Sequence, residues 1–237
     1  MIITIGREFG SGGREIGKHL AEALNLPYYD REIITEIAKN SKLDEKYVET
    51  VLESGFSSSY YFTFAQTLAN SAVFTNSVAV NVLAEQRKVI LKLAEKDCII
   101  VGRSAEVILK DKKPFRIFVY ADEKSKLERV KARAKEGEHF TDKQYCKKMR
   151  KIDKGRKKLH AIMAHLPWGD KRGYDLAINT TDIEIEHIIP SLTEYIKKFY
   201  EEEFGKVCKA GVLCPVKTII LKSGVHAPLL KCNFYAA

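Results

Sequence analysis

The apolar residues at the start of the chain follow two different spacings in succession. Ile2 to Ile5 form a short, largely β-branched run, which predicts a buried strand. A cluster of glycines follows, and Ile16, Leu20 and Leu24 then recur at the spacing of a helix face. The pattern therefore predicts a strand, a glycine-rich loop and a helix, in that order.

Four later segments indicate further strands. They lie at residues 26–30, 98–102, 116–121 and 174–180. The run at 98–102, and the run at 116–121 after its first residue Arg116, are continuously apolar rather than alternating, as in strands buried on both faces. Segments with helical spacing separate the strands. This alternation favours an α/β fold of three layers, in which helices cover a mainly parallel five-stranded sheet.

Charged helices dominate the second half of the chain. We expect Asp122 to cap a helix that runs to about Lys135. A second basic helix is predicted from Thr141 to Ala164, ahead of Pro167. An amphipathic helix from Ile185 to Phe199 is expected to close the domain.

Two segments depart from this pattern. Residues 54–84 contain no charged side chain and carry six aromatic residues among Ser, Thr and Asn. We expect mostly helix there, packed either against the core or against a second copy of the chain, in a homo-oligomer. Residues 205–237 hold three of the five cysteines, and we expect either a disordered extension or a small hairpin.

Composition limits the class of protein. Of the 237 residues, 45% are apolar and 30% are charged, which is typical of a soluble globular protein. No run of 18 apolar residues occurs, so no membrane span is expected. No basic leader precedes an apolar run, so no signal peptide is expected. Five cysteines without close pairing favour a reducing cytoplasm.

The net charge of +9 is concentrated in one segment. Residues 124–172 contain 17 Lys or Arg against 6 Asp or Glu, so the remainder is close to neutral. Such a segment either attracts anions, such as nucleotide phosphates or nucleic acid, or forms a solvated helix face. Because no basic patch is interleaved with aromatic residues, nucleic acid is not favoured.

The strongest indication of chemistry is the glycine cluster between the first strand and the first helix, formed by Gly6, Gly10, Gly12 and Gly13. Glycine allows positive φ and a close approach of the backbone to a ligand. Successive N–H groups, with the helix N-terminus, can then surround a phosphate. The alternative is a glycine turn that packs the strand onto the helix.

The loop departs from the usual P-loop at its end. It ends Gly13-Arg14-Glu15, where the usual pattern has Gly-Lys-Ser/Thr. Arg14 can replace the lysine, because its guanidinium binds phosphate through a bidentate fork. Glu15 cannot supply the hydroxyl that contacts Mg²⁺.

The glycine-rich loop and four further segments, taken in order along the chain, resemble the motifs of the P-loop nucleoside monophosphate kinases. The closest resemblance is to the cytidylate-kinase-like family, whose members open with an Arg-Glu-Phe-Gly-Ser-Gly-Gly-Arg type of loop. The further segments are residues 29–31, 101–103, 129–133 and 153–156. The residues 168–170 and 174–176 also resemble the C-terminal half of that family. The resemblance covers roughly residues 1 to 200.

This resemblance implies a P-loop kinase domain over residues 1–204, with an acceptor insertion at about 31–97 and a basic lid at about 137–172. Residues 205–237 lie outside it. The implied activity is ATP-dependent phosphoryl transfer to a nucleoside monophosphate, with CMP or dCMP as the expected acceptor and ATP and Mg²⁺ as cofactors.

The resemblance also implies three groups of site residues. Those expected to bind the ATP phosphates are Gly10, Ser11, Gly12, Gly13 and Arg14. Those expected to bind the acceptor are Asp30, Arg31 and Arg103. The expected catalytic residues are Arg14, Arg129, Arg133, Asp153 and Arg156, with Asp153 orienting Arg156 because positions i and i+3 share a helix face.

Two features leave details open. Ser11, or Asp30 through water, are the candidates for Mg²⁺ contact. Ser104 follows Arg103 where cytidylate kinases have Asp, which leaves the cytosine specificity open.

Several of these residues have a simpler interpretation. Asp30 could cap the next helix, Arg129 and Arg133 could be surface charges, and Asp153 with Arg156 could form an ordinary ion pair. Trp168 is expected to pack in the core rather than stack on a substrate. The six histidines show no metal-ligand or nucleophile pattern.

Three alternative functions therefore stand beside the nucleotide kinase. The chain could phosphorylate a non-nucleotide metabolite. It could bind a nucleotide without transferring a phosphoryl group, as a sensor or interaction module. It could also bind nucleic acid through residues 124–172, with steep salt dependence.

Overall fold

The computed structural model describes residues 1–54, 71–134 and 140–209. Its strands are β1 (Ile2–Arg7), β2 (Tyr28–Tyr29), β3 (Cys98–Val101), β4 (Phe115–Tyr120) and β5 (Leu176–Asn179). Its α-helices are α1 (Gly13–Leu24), α2 (Glu32–Ser41), α3 (Glu45–Ser54), α4 (Ser71–Leu93), α5 (Ala105–Ile108), α6 (Glu123–Ala132), α7 (Asp142–Met163) and α8 (Ile185–Lys209).

The five strands form one sheet in the order β2-β3-β1-β4-β5, and every pairing is parallel. The predicted α/β fold with a mainly parallel five-stranded sheet is therefore confirmed. Because β1 is the central strand, the loop that follows it opens in the middle of the carboxyl edge. Ligand sites of open α/β sheets lie at that edge.

The apolar strands bury their side chains under helices on both faces of the sheet. Ile3 and Ile5 of β1 are fully buried. On one face, α1 approaches closely, because a Cβ at Gly17 would lie 2.8 Å from Val101 Cγ2. A second cluster joins α2, α3 and α4 to β3 and includes Ile37, Leu52, Ile90 and Ile100.

Side-chain caps fix the starts of the two charged helices. Asp122 Oδ1 accepts a hydrogen bond from Ser125 N at 2.7 Å, which begins α6 as the sequence predicts. Thr141 and Gln144 form a reciprocal capping box that begins α7. Helix α6 ends at Ala132, three residues before the predicted end at Lys135, a residue outside the described part.

The two atypical segments lie partly outside the described residues. Of the uncharged segment 54–84, residues 71–84 belong to α4, and residues 55–70 are not described. Helix α8 continues through Gly205 to Lys209, beyond the predicted end near Phe199, because its last turns contain good helix formers such as Glu and Lys. Residues 210–237 are not described, so the predictions for that tail and for self-association stay predictions.

The sheet belongs to the first of two compact units, Met1–Ile196. The second unit is Lys197–Ala237, and its described residues, up to 209, are helical. Among the described helices, none is long and apolar enough to cross a membrane.

Candidate active site

The glycine-rich loop joins β1 to α1 at the centre of the carboxyl edge. Gly10 and Gly12 both adopt φ of +81°, in the left-handed region where a side chain is strained. A Cβ at Gly13 would lie 2.5 Å from Arg7 Cβ, so the chain has no room for a side chain there. The loop therefore needs glycine both for its backbone conformation and for its packing.

Helix α1 begins directly in this loop. Its N-cap residue is Gly12, and no side chain caps the first turn. Backbone N–H groups at the start of a helix, together with the helix dipole, attract an anion. The loop thus fits a phosphate group by its conformation, by its lack of side chains and by its position.

A cleft of about 400 Å³ opens beside the loop. Gly10, Gly12 and Gly13 form part of its wall. Its cationic side chains are Arg7, Arg14, Arg31, Arg103, Arg133, Lys148 and Arg156. Glu8 and Glu49 are the carboxylates on its described wall. The cleft therefore carries a clear excess of positive charge, as a site for several phosphate groups requires.

Asp30 lies at the end of β2 and is 3% exposed. Its Oδ2 is 2.5 Å from Arg14 Nε, and its Oδ1 is 3.3 Å from Arg7 Nη2. It does not cap α2, since its own backbone N–H donates to the Glu32 carboxylate and no side chain caps that helix. Asp30, which is buried and does not itself line the cleft, thus positions Arg7 and Arg14.

Arg31 and Arg103 reach the cleft from different strands. Arg31, after β2, is exposed and pairs with Glu49 of α3 at 3.4 Å. Arg103 follows β3 in an unusual turn, in which Gly102, Arg103 and Ser104 have φ of 76°, 60° and 50°. The structure therefore brings together the two arginines expected to bind the acceptor, with Asp30 held just outside the cleft wall.

Three of the predicted catalytic arginines, Arg129, Arg133 and Arg156, have three different environments. Arg133 lines the cleft and pairs with Glu15 of α1. Arg129 lies outside the cleft wall and donates to the carbonyl oxygens of Thr180 and Ile183, after β5. Burial lowers the pKa of Arg129, with the charge of Arg133 as a smaller cause. Arg129 is therefore placed to hold the chain after β5 rather than to contact a substrate.

Arg156 and Asp153 of α7 both contact the loop. Their Nη1 and Oδ1 atoms are 3.4 Å apart, as the i, i+3 spacing predicts. Arg156 Nη1 donates to the carbonyl oxygen of Arg7 at 3.0 Å, and its guanidinium lies over the Phe9 ring. Asp153 Oδ1 accepts from Phe9 N at 2.8 Å. Burial raises the pKa of Asp153, opposed by the charge of Arg156.

The two residues expected to contact Mg²⁺, Ser11 and Asp30, are both engaged with other protein groups. Ser11 is fully buried, and its hydroxyl donates to the carbonyl oxygen of Glu8 at 2.9 Å, which turns it away from the cleft. Glu8 pairs with Lys126 at 2.8 Å, and Asp30 pairs with two arginines. No group of three or more His, Cys, Asp or Glu that could hold a metal occurs among the described residues.

Some cleft residues were missed by the sequence analysis. Arg7 was given no role, although it ends β1 at the same edge of the sheet as Arg103. Glu49 and Lys148 lie on helices, and no motif marks them in the sequence. Only the packing of α3 and α7 beside the loop brings them to the cleft.

Trp168 and the described histidines play parts that fit the simpler interpretations. Trp168 packs edge-on against Phe118, with ring centroids 5.2 Å apart. His160 is buried and lies 3.2 Å from Glu106. Burial raises the pKa of the Cys98 thiol to about 11, as expected for an unreactive core cysteine.

Comparison with known proteins agrees with this geometry. The family model described as the cytidylate kinase-like family matches residues 2–182. No curated protein sequence matches the chain.

Two solved structures show the same fold. An uncharacterized protein from Eubacterium ventriosum is 30% identical, with a TM-score of 0.60, and the match covers 83% of this chain and 98% of that chain. Shikimate kinase from Bacteroides thetaiotaomicron is 13% identical, with a TM-score of 0.50 and coverage of 83% and 98%. At that low identity, the second likeness concerns the fold alone.

Proposed function

The chain belongs to the cytidylate kinase-like family, and we propose that it transfers the γ-phosphoryl group of ATP to a nucleoside monophosphate, with CMP or dCMP as the first candidate. Family membership confirms the resemblance drawn from the glycine-rich loop. The fold is that of a P-loop kinase. The family and the fold together support the general function of a phosphotransferase.

The cationic cleft beside the glycine-rich loop is the observation that supports the proposal most. Phosphoryl transfer needs donor and acceptor in line and cations where charge spreads in the transition state. Seven cationic side chains and three loop glycines surround one cleft that has two carboxylates on its described wall. Phosphoryl transfer can be accelerated without a general acid or base. The side chains of this cleft supply chiefly positive charge and alignment of the substrates.

The loop and the arginines would divide the work between the two substrates. Gly10, Gly12 and Gly13 would hold the ATP phosphates through backbone N–H groups, with the Arg14 guanidinium beside them. Arg103 and Arg31 would bind the acceptor phosphate on the opposite side of the cleft. Because Arg31 and Arg103 follow two different strands, they would hold the acceptor phosphate in line with the γ-phosphate of ATP.

Arg133 and Arg156 would act on the transferred group, since both line the cleft close to the loop. Mg²⁺, when bound with ATP, would neutralise phosphate charge. Its ligands would include phosphate oxygens and water, since Mg²⁺ keeps several waters when it binds with substrate phosphates.

A second acceptor class is favoured by one feature of the sequence. Ser104 stands where cytidylate kinases have an Asp beside the base and sugar. A hydroxyl accepts fewer hydrogen bonds than a carboxylate, so the contact with the base would be weaker. A non-nucleotide metabolite that carries a hydroxyl acceptor is therefore the alternative substrate. A cytoplasmic location fits either acceptor, since ATP is available there.

The test is ADP formation by the purified chain with ATP and Mg²⁺ against a panel of nucleoside monophosphates. The informative variant is Arg14→Ala, and the matched control is Arg172→Ala. Both arginines form an ion pair with an aspartate, and their side chains are 60% and 67% exposed. Only Arg14 of the two lines the cleft.

We expect turnover on one monophosphate, lost about 10²- to 10³-fold in Arg14→Ala and unchanged in Arg172→Ala. Silence on every monophosphate would reject the nucleotide acceptor. If ATP still bound, we would conclude that the chain is a kinase of a non-nucleotide metabolite. If ATP did not bind, we would conclude that it is an interaction protein without kinase activity.

A further inference from the structure

The backbone that carries Arg103 is strained. Gly102, Arg103 and Ser104 are three successive residues in the left-handed region. For residues with a Cβ this conformation is costly, and it persists where the surrounding structure enforces it. Arg103 and Ser104 both have a Cβ, so some contact must hold the turn in place.

Gln86 of α4 makes such a contact. Its side chain is fully buried, and Nε2 donates to the carbonyl oxygen of Arg103 at 3.2 Å. A carbonyl only accepts, so the amide nitrogen of Gln86 must face the turn. Among the described residues, Gln86 Oε1 has no partner. The bond to Arg103 is thus what offsets the burial of this amide.

A second buried group lies in the helix that directly follows the turn. Glu106, in α5, lies 3.2 Å from His160 Nε2 of α7 and 3.4 Å from the Tyr174 hydroxyl. All three side chains are less than a tenth exposed. Burial, with the charge of Glu106, raises the pKa of Tyr174, so this hydroxyl keeps its proton and donates to Glu106.

The turn also fixes Arg7. A Cβ at Gly102 would lie 1.5 Å from Arg7 Nη1, so the guanidinium of Arg7 rests directly on the backbone of the turn. A change in the turn would therefore reach the Arg7 guanidinium, which pairs at 3.3 Å with the predicted acceptor residue Asp30, as well as Arg103. Both arginines line the cleft.

We propose that Gln86 is a positioning residue, which holds residues 102–104 in the left-handed conformation that presents Arg103 to the acceptor, while the Glu106–His160 contact anchors the helix that follows. The inference rests on the proposed function for the role of Arg103. Gln86 touches no substrate, since it acts through the backbone carbonyl of Arg103. Its effect should fall on the acceptor, because the ATP-binding loop lies on a different strand.

The test compares Gln86→Leu, which removes the amide at similar volume, with the control Thr193→Val. Thr193 is also buried, and among the described residues its hydroxyl has no partner. We expect Gln86→Leu to raise the KM for the acceptor at least about tenfold, while the KM for ATP changes less than about twofold. Thr193→Val should leave both values unchanged. Equal changes in both KM values, or none, would overturn the proposal.

A second variant separates positioning from loss of fold. Glycine adopts positive φ without strain, so Gln86→Leu should raise the acceptor KM less in a Ser104→Gly background than in the wild type, with Ser104→Gly alone as the reference that lacks the Ser104 hydroxyl. We expect the rise to be at least about threefold smaller in that background. An equal rise in both backgrounds would show that the left-handed strain is not what Gln86 offsets.

Hydrogen exchange tests the same role without any substrate. The Ala105 and Val107 amides donate to the carbonyl oxygens of Gly102 and Ser104, so they report on the turn. Gln86→Leu should speed their exchange at least about tenfold relative to Thr193→Val. Unchanged exchange would overturn the proposal. If the wild type phosphorylated no monophosphate, the proposed function alone would fail, and exchange would still decide the role of Gln86.

Discussion

The Asp153 carboxylate accepts a hydrogen bond from the Phe9 amide, with 2.8 Å between Oδ1 and N. One turn further along α7, Arg156 donates to the carbonyl oxygen of Arg7. Two side chains of the basic helix thus hold the backbone at the start of the glycine-rich loop. The helix is a support of the loop as well as a wall of the cleft.

The pH dependence of stability should reveal the burial of Asp153. Burial raises its pKa above the ordinary 3.8, so the folded state binds this proton more tightly than the unfolded state does. The stability from the protonated form is present below pH 3.8 and is lost as pH rises through the folded pKa. Asp153→Asn cannot titrate there.

The measurement is urea unfolding of the wild type and Asp153→Asn between about pH 3 and about pH 7. We expect the unfolding free energy of the wild type to fall relative to that of the variant as pH rises. A relative rise would mean that the Arg156 charge outweighs burial.

The loop glycines should differ sharply from a glycine elsewhere. A Cβ at Gly12 would meet Ile185 Cδ1 at 2.6 Å, in a residue with φ of +81°. Gly12→Ala should lower the free energy of unfolding by about 2 kcal/mol and weaken ATP-dependent stabilisation. The control is Gly173→Ala, where the nearest atom would be 3.8 Å away. Equal losses of unfolding free energy in both variants would contradict the packing account.

Arg129 and Arg133 should separate stability from activity. Arg129 donates to two backbone carbonyls, so Arg129→Ala should cost about 1–3 kcal/mol of unfolding free energy. Arg133 is exposed and lines the cleft, so Arg133→Ala should mainly lower kcat, by about 10²-fold or more. Denaturant unfolding and steady-state rates check the pair. The reverse pattern would assign the substrate contact to Arg129.

Asp30 should matter for stability more than a surface carboxylate does. It is 3% exposed between Arg7 and Arg14, so Asp30→Asn leaves two guanidiniums without their shared counter-charge. We expect a loss of about 3 kcal/mol in the free energy of unfolding. Asp170→Asn, which breaks an exposed pair with Arg172, is the control and should change little. A small loss in both variants would argue that the Asp30 pairs are no tighter than surface ones.

The sequence predicted well those features that depend on local rules. Apolar runs located the strands, and Asp122 and Thr141 begin their helices through caps within three residues. The glycine spacing located the glycine-rich loop, and the family resemblance pointed to Arg103, two residues after β3. Each of these features is decided by neighbours in sequence.

What the sequence left open depends on contacts between distant residues. Arg129 is held by carbonyls about fifty positions away, and Asp30 is buried only because Arg7 and Arg14 converge on it. Ser11 looks available in a loop, yet the fold turns its hydroxyl inward. No local pattern distinguishes these arrangements from exposed side chains.

Transfer of label from [γ-³²P]ATP is the most direct test of the central claim. The purified chain would be incubated with labelled ATP, Mg²⁺ and each nucleoside monophosphate in turn, beginning with CMP, and the products separated. The account predicts label in the nucleoside diphosphate, with Arg14→Ala slowed and Arg172→Ala unaffected. Label that stayed in ATP, or appeared only as inorganic phosphate with every monophosphate, would contradict it.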